Sequence, residues 1–463
     1  MRDYNSFVAL LNKTGFVDTD YPINGCFIWL PRGMKYRAYI TDSWREAMED
    51  LGFDEYLFPR LGRSENLEVV AENIREFKKI YWVSPDKKDH PLYLTPTGES
   101  IVYPVFRRWI RQEADLPLRM FQIGSIFRPH GGGNSIINAD ESMTLLEGHS
   151  AYSNEEEARE QFDEINRTMV LMYERMGFAV LALRRPKYGN NPVFHECMSF
   201  EVVLPSHERS FCAGVSYYQG QIYSKPFQIR FHRPDGTSDF TYQNTFGMSV
   251  RAMMAELQLH SDQRGLQMMP EFSPEQVVVI PFFDVDGEVD IVGYAKTVAE
   301  RLPNFRVHVD SEKMRPTKKL GIWRERGVPV RLGVGTENLK KGTVRVLRRD
   351  TDDMYDVEIE RLPSHLNQVM SEISDSLYER TSRFLGSHTA NAYEGRSLNS
   401  NLEEGLISRI GWCGEKTCGR NLEREFPGEI LGVDKEETEF DTCFVCGEEA
   451  KKTAYFAKRC TSP

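Results

Sequence analysis

The sequence predicts an α+β chain in three parts. An antiparallel sheet flanked by helices runs to about residue 270, a small α/β domain spans 271–375, and a cysteine-bearing tail spans 376–463. Three observations predict this. The strand-like runs ALRR, MSFEVVLP, RSFCAGVSYY, FQIRFH and FTYQNTF crowd into residues 182–246, too close together for helical crossovers, so they pair antiparallel. Past the proline-bearing linker MMPEFSPEQ, strands and helices alternate. In the tail, Cys413, Cys418, Cys443 and Cys446 form a C-x4-C and a C-x2-C pair.

The elements follow in order. Residues 20–40 read as strand and loop, punctuated by Gly25 and Gly33, and Asp42 or Ser43 caps a helix through Met48 that stops at Gly52. EYLFPRL is a short strand ending at Pro59, which a central strand would not accept. Residues 66–77 read as an amphipathic helix. LYLTPTGES leads into another over 100–113, with Ile101, Val105 and Trp109 at helical spacing. Residues 118–149 read as a hairpin: an alternating strand ends on Arg128, a Gly-rich turn follows at 131–133, and a returning strand presents Glu147 and His149. An arginine fixed there can clamp a phosphate or carboxylate with two parallel hydrogen bonds. Asn154 caps a long helix to Met176, and its opening run of three glutamates suits the helix dipole. GMSVRAMMAELQLH is a helix with Arg251 in its first turn and Met253, Met254 and Leu257 as core. VVVIPFF, FRVHVD, VPVRLGVG and TVRVLRR, separated by helices, make a mixed sheet, and a helix over 363–384 leads into the tail.

Composition sets bounds. The 463 residues, 40% hydrophobic and 27% charged, are those of a globular protein with two or three domains. No apolar run approaches a membrane span and MRDYNSFVALLNK lacks the features of a signal peptide, which predicts a cytoplasmic protein without membrane association. A net charge of −11 argues against bulk nucleic-acid binding, yet twelve Lys and Arg between Lys313 and Arg349 face only Glu325 and Glu337. That segment is either a polyanion site or a solvated face. Paired cysteines in a cytosolic chain point to metal before disulfide, and four thiolates close a structural tetrahedral site.

Two fixed cations, Arg128 and Arg251, and two carboxylates beside polar partners, Glu99 with Thr97 and Glu147 with His149, can bind a zwitterion and a polyphosphate together. This predicts nucleotidyl transfer onto a carboxylate, where alignment and charge neutralisation supply most of the catalysis. The segments bearing these residues resemble a known family. YLFPRL resembles motif 1 of the class II aminoacyl-tRNA synthetases, FRPH the F-R-x-E of motif 2, and YQNTFGMSVR motif 3. LTPTGES, LLEGHSAY and CAGVSYYQGQIYSKPF resemble the R-P-T-S-E-T, W-Q-E-G-H-T-A-H and Q-A-G-T-S-H segments of prolyl-tRNA synthetases of the archaeal/eukaryotic type. GVPVRLGVGTENL resembles that family's anticodon-binding domain, and WCGEKTC, CFVCG and YFAKR its zinc-bearing C-terminal domain. The resemblance spans nearly the whole chain.

It implies a class II catalytic domain over 1–270, an anticodon-binding-like domain over 271–375 and a zinc-binding domain over 376–463, with ATP, Mg²⁺ and structural Zn²⁺ as cofactors. It also implies an amino acid and tRNA as substrates, and a homodimer formed through motif 1. Arg128 would clamp the ATP α-phosphate and the substrate carboxylate, Arg251 the γ-phosphate beside Ser249, and Thr97 and Glu99 the substrate amino group. Glu147 and His149 would floor the pocket, with Gly214, Ser216 and Tyr217 beside the amino acid and His130, Cys212 and Val215 beside ATP. Cys413, Cys418, Cys443 and Cys446 would hold the metal. Some positions depart from the family pattern: His130 stands for the motif 2 Glu, an Arg-free GGGNSIINADES follows it, Tyr217 stands for His, and Leu145, Leu146 and Phe246 replace Trp, Gln and Trp. In the anticodon-binding segment Gly333 replaces Glu, and Thr336, Glu337 and Asn338 replace P-R-D. The expected reaction is activation of proline or a related amino acid and its transfer to tRNA. The departures leave open a changed amino acid or acceptor, or a non-catalytic tRNA- or partner-binding role.

Overall fold

Helix α1 (Tyr4–Lys13) starts where the Asp3 carboxylate accepts the Ser6 N–H at 3.1 Å. Helix α2 (Pro31–Asp50) starts eleven residues before the predicted cap, because Pro31 sits in its first turn with φ already helical. Its buried Tyr36, Ile40, Trp44 and Met48 recur every fourth residue and form one stripe. The computed structural model describes residues 3–460 except 24, 72–79, 84–90, 130–135, 138–142, 188–192, 207–208, 283–289 and 435–437. His130 and the predicted glycine turn therefore lie outside the described residues, as does the second half of the helix expected at 66–77, whose described part is α3 (Ser64–Ala71).

After the short strand β1 (Asp54–Glu55) come α4 (Glu99–Trp109), β2 (Leu118–Ile126), β3 (Met143–Tyr152) and α5 (Glu155–Arg175). Strands β2 and β3 pair antiparallel as expected, with residues 127–142 between them. Next are β4 (Leu181–Arg184), β5 (Glu196–Leu204), β6 (Arg209–Gly220), β7 (Tyr242–Ser249) and α6 (Val250–His260). The α/β domain follows: β8 (Val277–Pro281), α7 (Ile291–Glu300), β9 (Val307–Val309), α8 (Pro316–Glu325), β10 (Val330–Val334), α9 (Thr336–Lys341), β11 (Thr343–Arg348), β12 (Met354–Glu358) and α10 (Leu362–Ser387). Its sheet, in the order β9-β8-β10-β11-β12, is parallel on one side and antiparallel on the other. The tail supplies β13 (Thr389–Asn391), α11 (Gly395–Glu403), β14 (Ile407–Trp412), α12 (Lys416–Glu425), β15 (Glu429–Val433) and β16 (Lys452–Ala457).

The tail is not a separate bead. Among the described residues its strands continue the first sheet, in the order β13-β14-β16-β15-β4-β5-β6-β7-β3-β2-β1. The joint is narrow: Val433 pairs with Arg184, and Leu183 and Val203 pack beneath it with Leu431, Tyr455 and Leu385. One apolar core runs from α2, α5 and α6 under this sheet into the α/β domain, reaching Val279, Leu332 and Leu366.

Candidate active site and cysteine cluster

Strand registers decide which residues meet. Gln122, Glu147, Gly247 and Val215 are opposed in a row, and beside them Met120, His149, Thr245 and Tyr217. Alternation sends Glu147, His149, Val215 and Tyr217 to one face and Leu146, Phe246, Gly214 and Ser216 to the other. The second face is core. Phe246 packs on Trp44 and Phe53 with ring centroids 6.1 and 5.3 Å apart. Ser216 donates to the Asn166 side chain on α5, and a Cβ on Gly214 would stand 2.3 Å from the Tyr173 hydroxyl. The structure thus places the Ser216 side chain and the open side of Gly214 against α5, away from Tyr217, which stacks on Phe194 at 5.4 Å.

On the first face a pocket is assembled from three directions. The loop before α4 is tied to the end of β2 by Phe127 N–H to Thr95 O at 2.9 Å, and Arg128 Nε donates to Pro96 O at 2.9 Å. Arg128 is thereby held next to Thr97, whose hydroxyl donates to Glu99. Both are buried. Behind them Gln122 Nε2 donates to Glu147 at 2.6 Å, and Arg60 donates to Gln122 at 3.1 Å. Burial opposes the charge on Glu147, but nearby His149, the Gln122 amide and the Arg60 guanidinium outweigh it and hold the carboxyl below its ordinary value. His149 is fully buried, meets the edge of Tyr103 at 5.6 Å, and lies 3.7 Å from Glu147. Among the described residues neither of its ring nitrogens has a partner within normal hydrogen-bond distance, Glu147 being the nearest acid. A buried polar group left unmatched is costly, and such groups mark where a ligand completes the set. Gly98 fits between: a Cβ there would stand 2.4 Å from Glu147 Oε1 and 2.5 Å from His149 Nε2. Sequence reasoning missed Gln122, Arg60 and Gly98. The signal for the first was a lone polar side chain in the inward row of LRMFQIGSIF.

Ser249 caps α6 by accepting the Arg251 N–H at 3.2 Å, and Arg251 Nε donates to Ile137 O at 2.6 Å. Because Gly124, Leu145 and Ser249 are opposed across β2, β3 and β7, Arg251 and Arg128 stand at the same end of the sheet, two strand spacings or about 10 Å apart in the pairing direction. A polyphosphate can lie across that end. Burial pushes the Cys212 thiol up, so it is a neutral wall rather than a nucleophile.

The thiol sulfurs of Cys413, Cys418, Cys443 and Cys446 all lie within 4.8 Å of one another, with Cys413 and Cys446 3.9 Å apart. A tetrahedron of Zn–S bonds has edges of about 3.8 Å, so the donor set fits a closed site. Burial opposes ionisation of Cys443, yet backbone N–H groups of Cys446 and Val445 bring it down to about 7.

Part of the basic segment at 313–349 is buried or paired with acids. Lys319 is buried on Asp310 at 2.9 Å, Arg331 donates to the Leu320 and Arg348 carbonyls, and Arg345 and Arg348 pair with Asp356 and Asp350 at 2.8 Å. Arg349 is buried and forks onto Asp262 at 2.7 and 3.0 Å. The partners come from outside the counted window, so its surplus charge was partly an artefact of counting along the chain.

Comparison with known proteins completes the description. The family model described as the tRNA synthetase class II core domain (G, H, P, S and T) matches residues 81–260, an anticodon binding domain model matches 276–368, and a prolyl-tRNA synthetase C-terminal model matches 397–459. The proline–tRNA ligase of Methanopyrus kandleri is 32% identical over 98% of this chain and 95% of its own length. That of Thermoplasma volcanium is 33% identical over 98% and 97%. A crystal structure of prolyl-tRNA synthetase from Cryptosporidium parvum, complexed with halofuginone and AMPPNP, superposes with a TM-score of 0.91 over 99% of this chain and 96% of that one, at 24% identity, and so shares the fold.

Proposed function

The chain belongs to the prolyl-tRNA synthetases, class II aminoacyl-tRNA ligases, and from that membership we infer an ATP-dependent ligase that activates proline and transfers it to tRNA. The observation that supports it best at the site is Arg128, held on Pro96 O beside the buried Thr97–Glu99 pair. A fixed cation next to a fixed anion matches the carboxylate and the secondary ammonium of proline. In the first step a proline carboxylate oxygen attacks the α-phosphorus of ATP and pyrophosphate leaves. Arg128 aligns the two and Arg251 takes the far phosphate charge, roles a guanidinium performs without exchanging a proton. Mg²⁺ bound with the nucleotide would share that charge. In the second step a terminal ribose hydroxyl of the tRNA attacks the acyl carbon and AMP leaves. Thr97 and Glu99 hold the ammonium throughout, and Tyr217 and Val215 line the sheet face beside it. His130 stands at the nucleotide by its position in motif 2. Cys413, Cys418, Cys443 and Cys446 would hold Zn²⁺ as a structural tie of the tail.

In motif 1 Leu57 is 83% exposed, and Leu61 and Trp82, on the two outer strands of the small sheet that follows, are also exposed. A surface of this kind suits a second copy of the chain, as the class II dimer requires. Translation places the enzyme in the cytoplasm, and no helix among the described residues is long and apolar enough to cross a membrane. The deciding experiment is ATP–pyrophosphate exchange across a panel of amino acids, followed by charging of a proline tRNA transcript. Proline should give the strongest exchange and be transferred; exchange driven by another amino acid but not by proline refutes the reading.

A further inference from the structure

Two buried carboxylates meet at Gly98. Glu99 follows it in the chain, and the Glu147 carboxylate fills the space that a Gly98 Cβ would take. Burial first, then the charges of Glu99, Tyr223 and Glu147, push the Tyr103 hydroxyl up, so both acids bear on one spot. Carboxylates crowded into one site do not both stay ionised unless cations answer them. A zwitterion brings a single ammonium, and that leaves one carboxylate over. His149 stands off from Glu147 at 3.7 Å. The other charge comes from Arg60. Its Nη1 donates to Gln122 Oε1 at 3.1 Å, and Gln122 Nε2 donates to Glu147 Oε1 at 2.6 Å. A guanidinium only donates, so the amide turns its oxygen to Arg60 and its N–H to Glu147. The direction of the hydrogen bonds under the pocket is therefore set from Arg60.

The guanidinium is held in place on two sides. The Arg60 carbonyl accepts the Thr95 N–H at 3.0 Å, and Leu61 beside it is opposed to Leu94, so Arg60 is sewn to the loop that carries Thr97 and Glu99. Its side chain lies across β2 at Gly124, which is opposed to Leu145. A Cβ on Gly124 would fall on Arg60 Nη2, so a larger residue there displaces the guanidinium. The arrangement is a poor device for stability. Burial pulls the Arg60 guanidinium below its ordinary value against the attraction of Glu147. Its Nη2 is buried with no hydrogen-bond partner among the described residues. A cation held at such a cost beside a substrate pocket points to work on the substrate. We propose that Arg60 is a positioning residue for amino-acid activation: through the Gln122 amide it keeps Glu147 a fixed acceptor and leaves Glu99 to match the substrate ammonium. The proposal rests on the ligase reading above. It ties Arg60 to the amine of the substrate and not to its ring, its carboxylate or the nucleotide.

The test uses the full-length protein carrying Arg60→Met, which keeps the apolar stem without the charge. ATP–pyrophosphate exchange is measured with proline and ATP varied in turn. Tetrahydrofuran-2-carboxylate, which has the ring and carboxylate of proline but an ether oxygen for the amine, is titrated as a competitor. In Arg60→Met the KM for proline should rise about tenfold, with kcat and the KM for ATP unchanged within about twofold. The inhibition constant of the ether analogue should stay within about threefold of the parent, because it brings no ammonium to be matched. Arg60→Lys, which keeps the charge but not the fork, should fall between. Gly124→Ala pushes the guanidinium aside without removing it and should raise the proline KM in the same direction. In a Glu147→Gln background there is no carboxylate to answer, so adding Arg60→Met should raise the proline KM by no more than about twofold. Equal losses with proline and the ether analogue overturn the proposal and make Arg60 a packing residue of the loop. An unchanged proline KM in Arg60→Met overturns it as well. A parent whose exchange is driven by another amino acid and not by proline fails the ligase reading, while the same variants, measured with that amino acid, still decide the role of Arg60.

Discussion

Gly98 is the residue at which the pocket tolerates least. Its backbone is ordinary helical conformation, so the demand is for space alone. A methyl group there meets two side chains that cannot simply swing away, since Glu147 is bonded to Gln122 and His149 is boxed by Tyr103. Gly98→Ala should therefore raise the KM for proline at least tenfold, about 1.4 kcal/mol of lost binding, and leave the KM for ATP within twofold. Exchange kinetics with each substrate varied in turn would show this, and an unchanged proline KM would mean that the floor of the pocket yields. Thr97, Glu99, Glu147 and His149 were legible because each lies in a short segment that carries its partner. Gln122 and Arg60 reach the same pocket from other segments; Gln122 shows only as a lone polar side chain in an apolar row, and nothing local announces Arg60. Ser216 and Gly214 illustrate the reverse error: a contiguous motif suggests one site, while the two-residue period of a strand sends alternate members to opposite faces.

Helices α2 and α6 cross with an acid between them. Glu256 is fully buried, accepts from the Tyr36 hydroxyl, and receives the Met269 N–H at 3.5 Å. Burial outweighs both bonds and raises its carboxyl to about 8. The folded protein thus keeps a proton that the unfolded chain releases near its model value of 4.5. The sign follows: this stabilisation is complete below about pH 4.5, declines as pH rises through 8, and is flat beyond. Glu256→Gln should remove that slope, so the variant gains on the parent between pH 5 and pH 8.5. Urea unfolding midpoints at the two pH values test it, and parallel curves would show that Glu256 is ionised in the fold. At this scale the sequence was uneven. The four-residue spacing of Tyr36, Ile40, Trp44 and Met48 was on view, yet the cap was sought at Asp42 because a polar residue is a more familiar start than Pro31. The hairpin's pairing was read correctly from alternation, whereas the length of its connection depended on where β3 begins.

Three parts were readable from the changes of period and from the cysteine pairs, but how the last joins the first was not. A single residue pair, Val433 with Arg184, carries the tail strands into the catalytic sheet, and local patterns cannot encode a joint between residues so far apart in the chain. Below it Arg459, near the C-terminus, grips Glu201 through two nitrogens at 2.9 and 3.3 Å. Glu201 is fully buried on β5 and its other cation, Arg185, stands off at 3.5 Å. Removing one partner of such a pair leaves an uncompensated charge and destabilises by about 3–5 kcal/mol. Arg459→Met should lower the melting temperature by several degrees. It should also reduce proline-dependent exchange, because Arg185 must then turn toward Glu201 and away from the strand that bears Tyr217. Arg459→Lys, which keeps the charge but not the fork, should fall between. If Arg459→Met instead melts with the parent and exchanges at the parental rate, the tail is docked by Leu183, Leu431 and Tyr455 alone, and the ion pair contributes no more than a surface bridge.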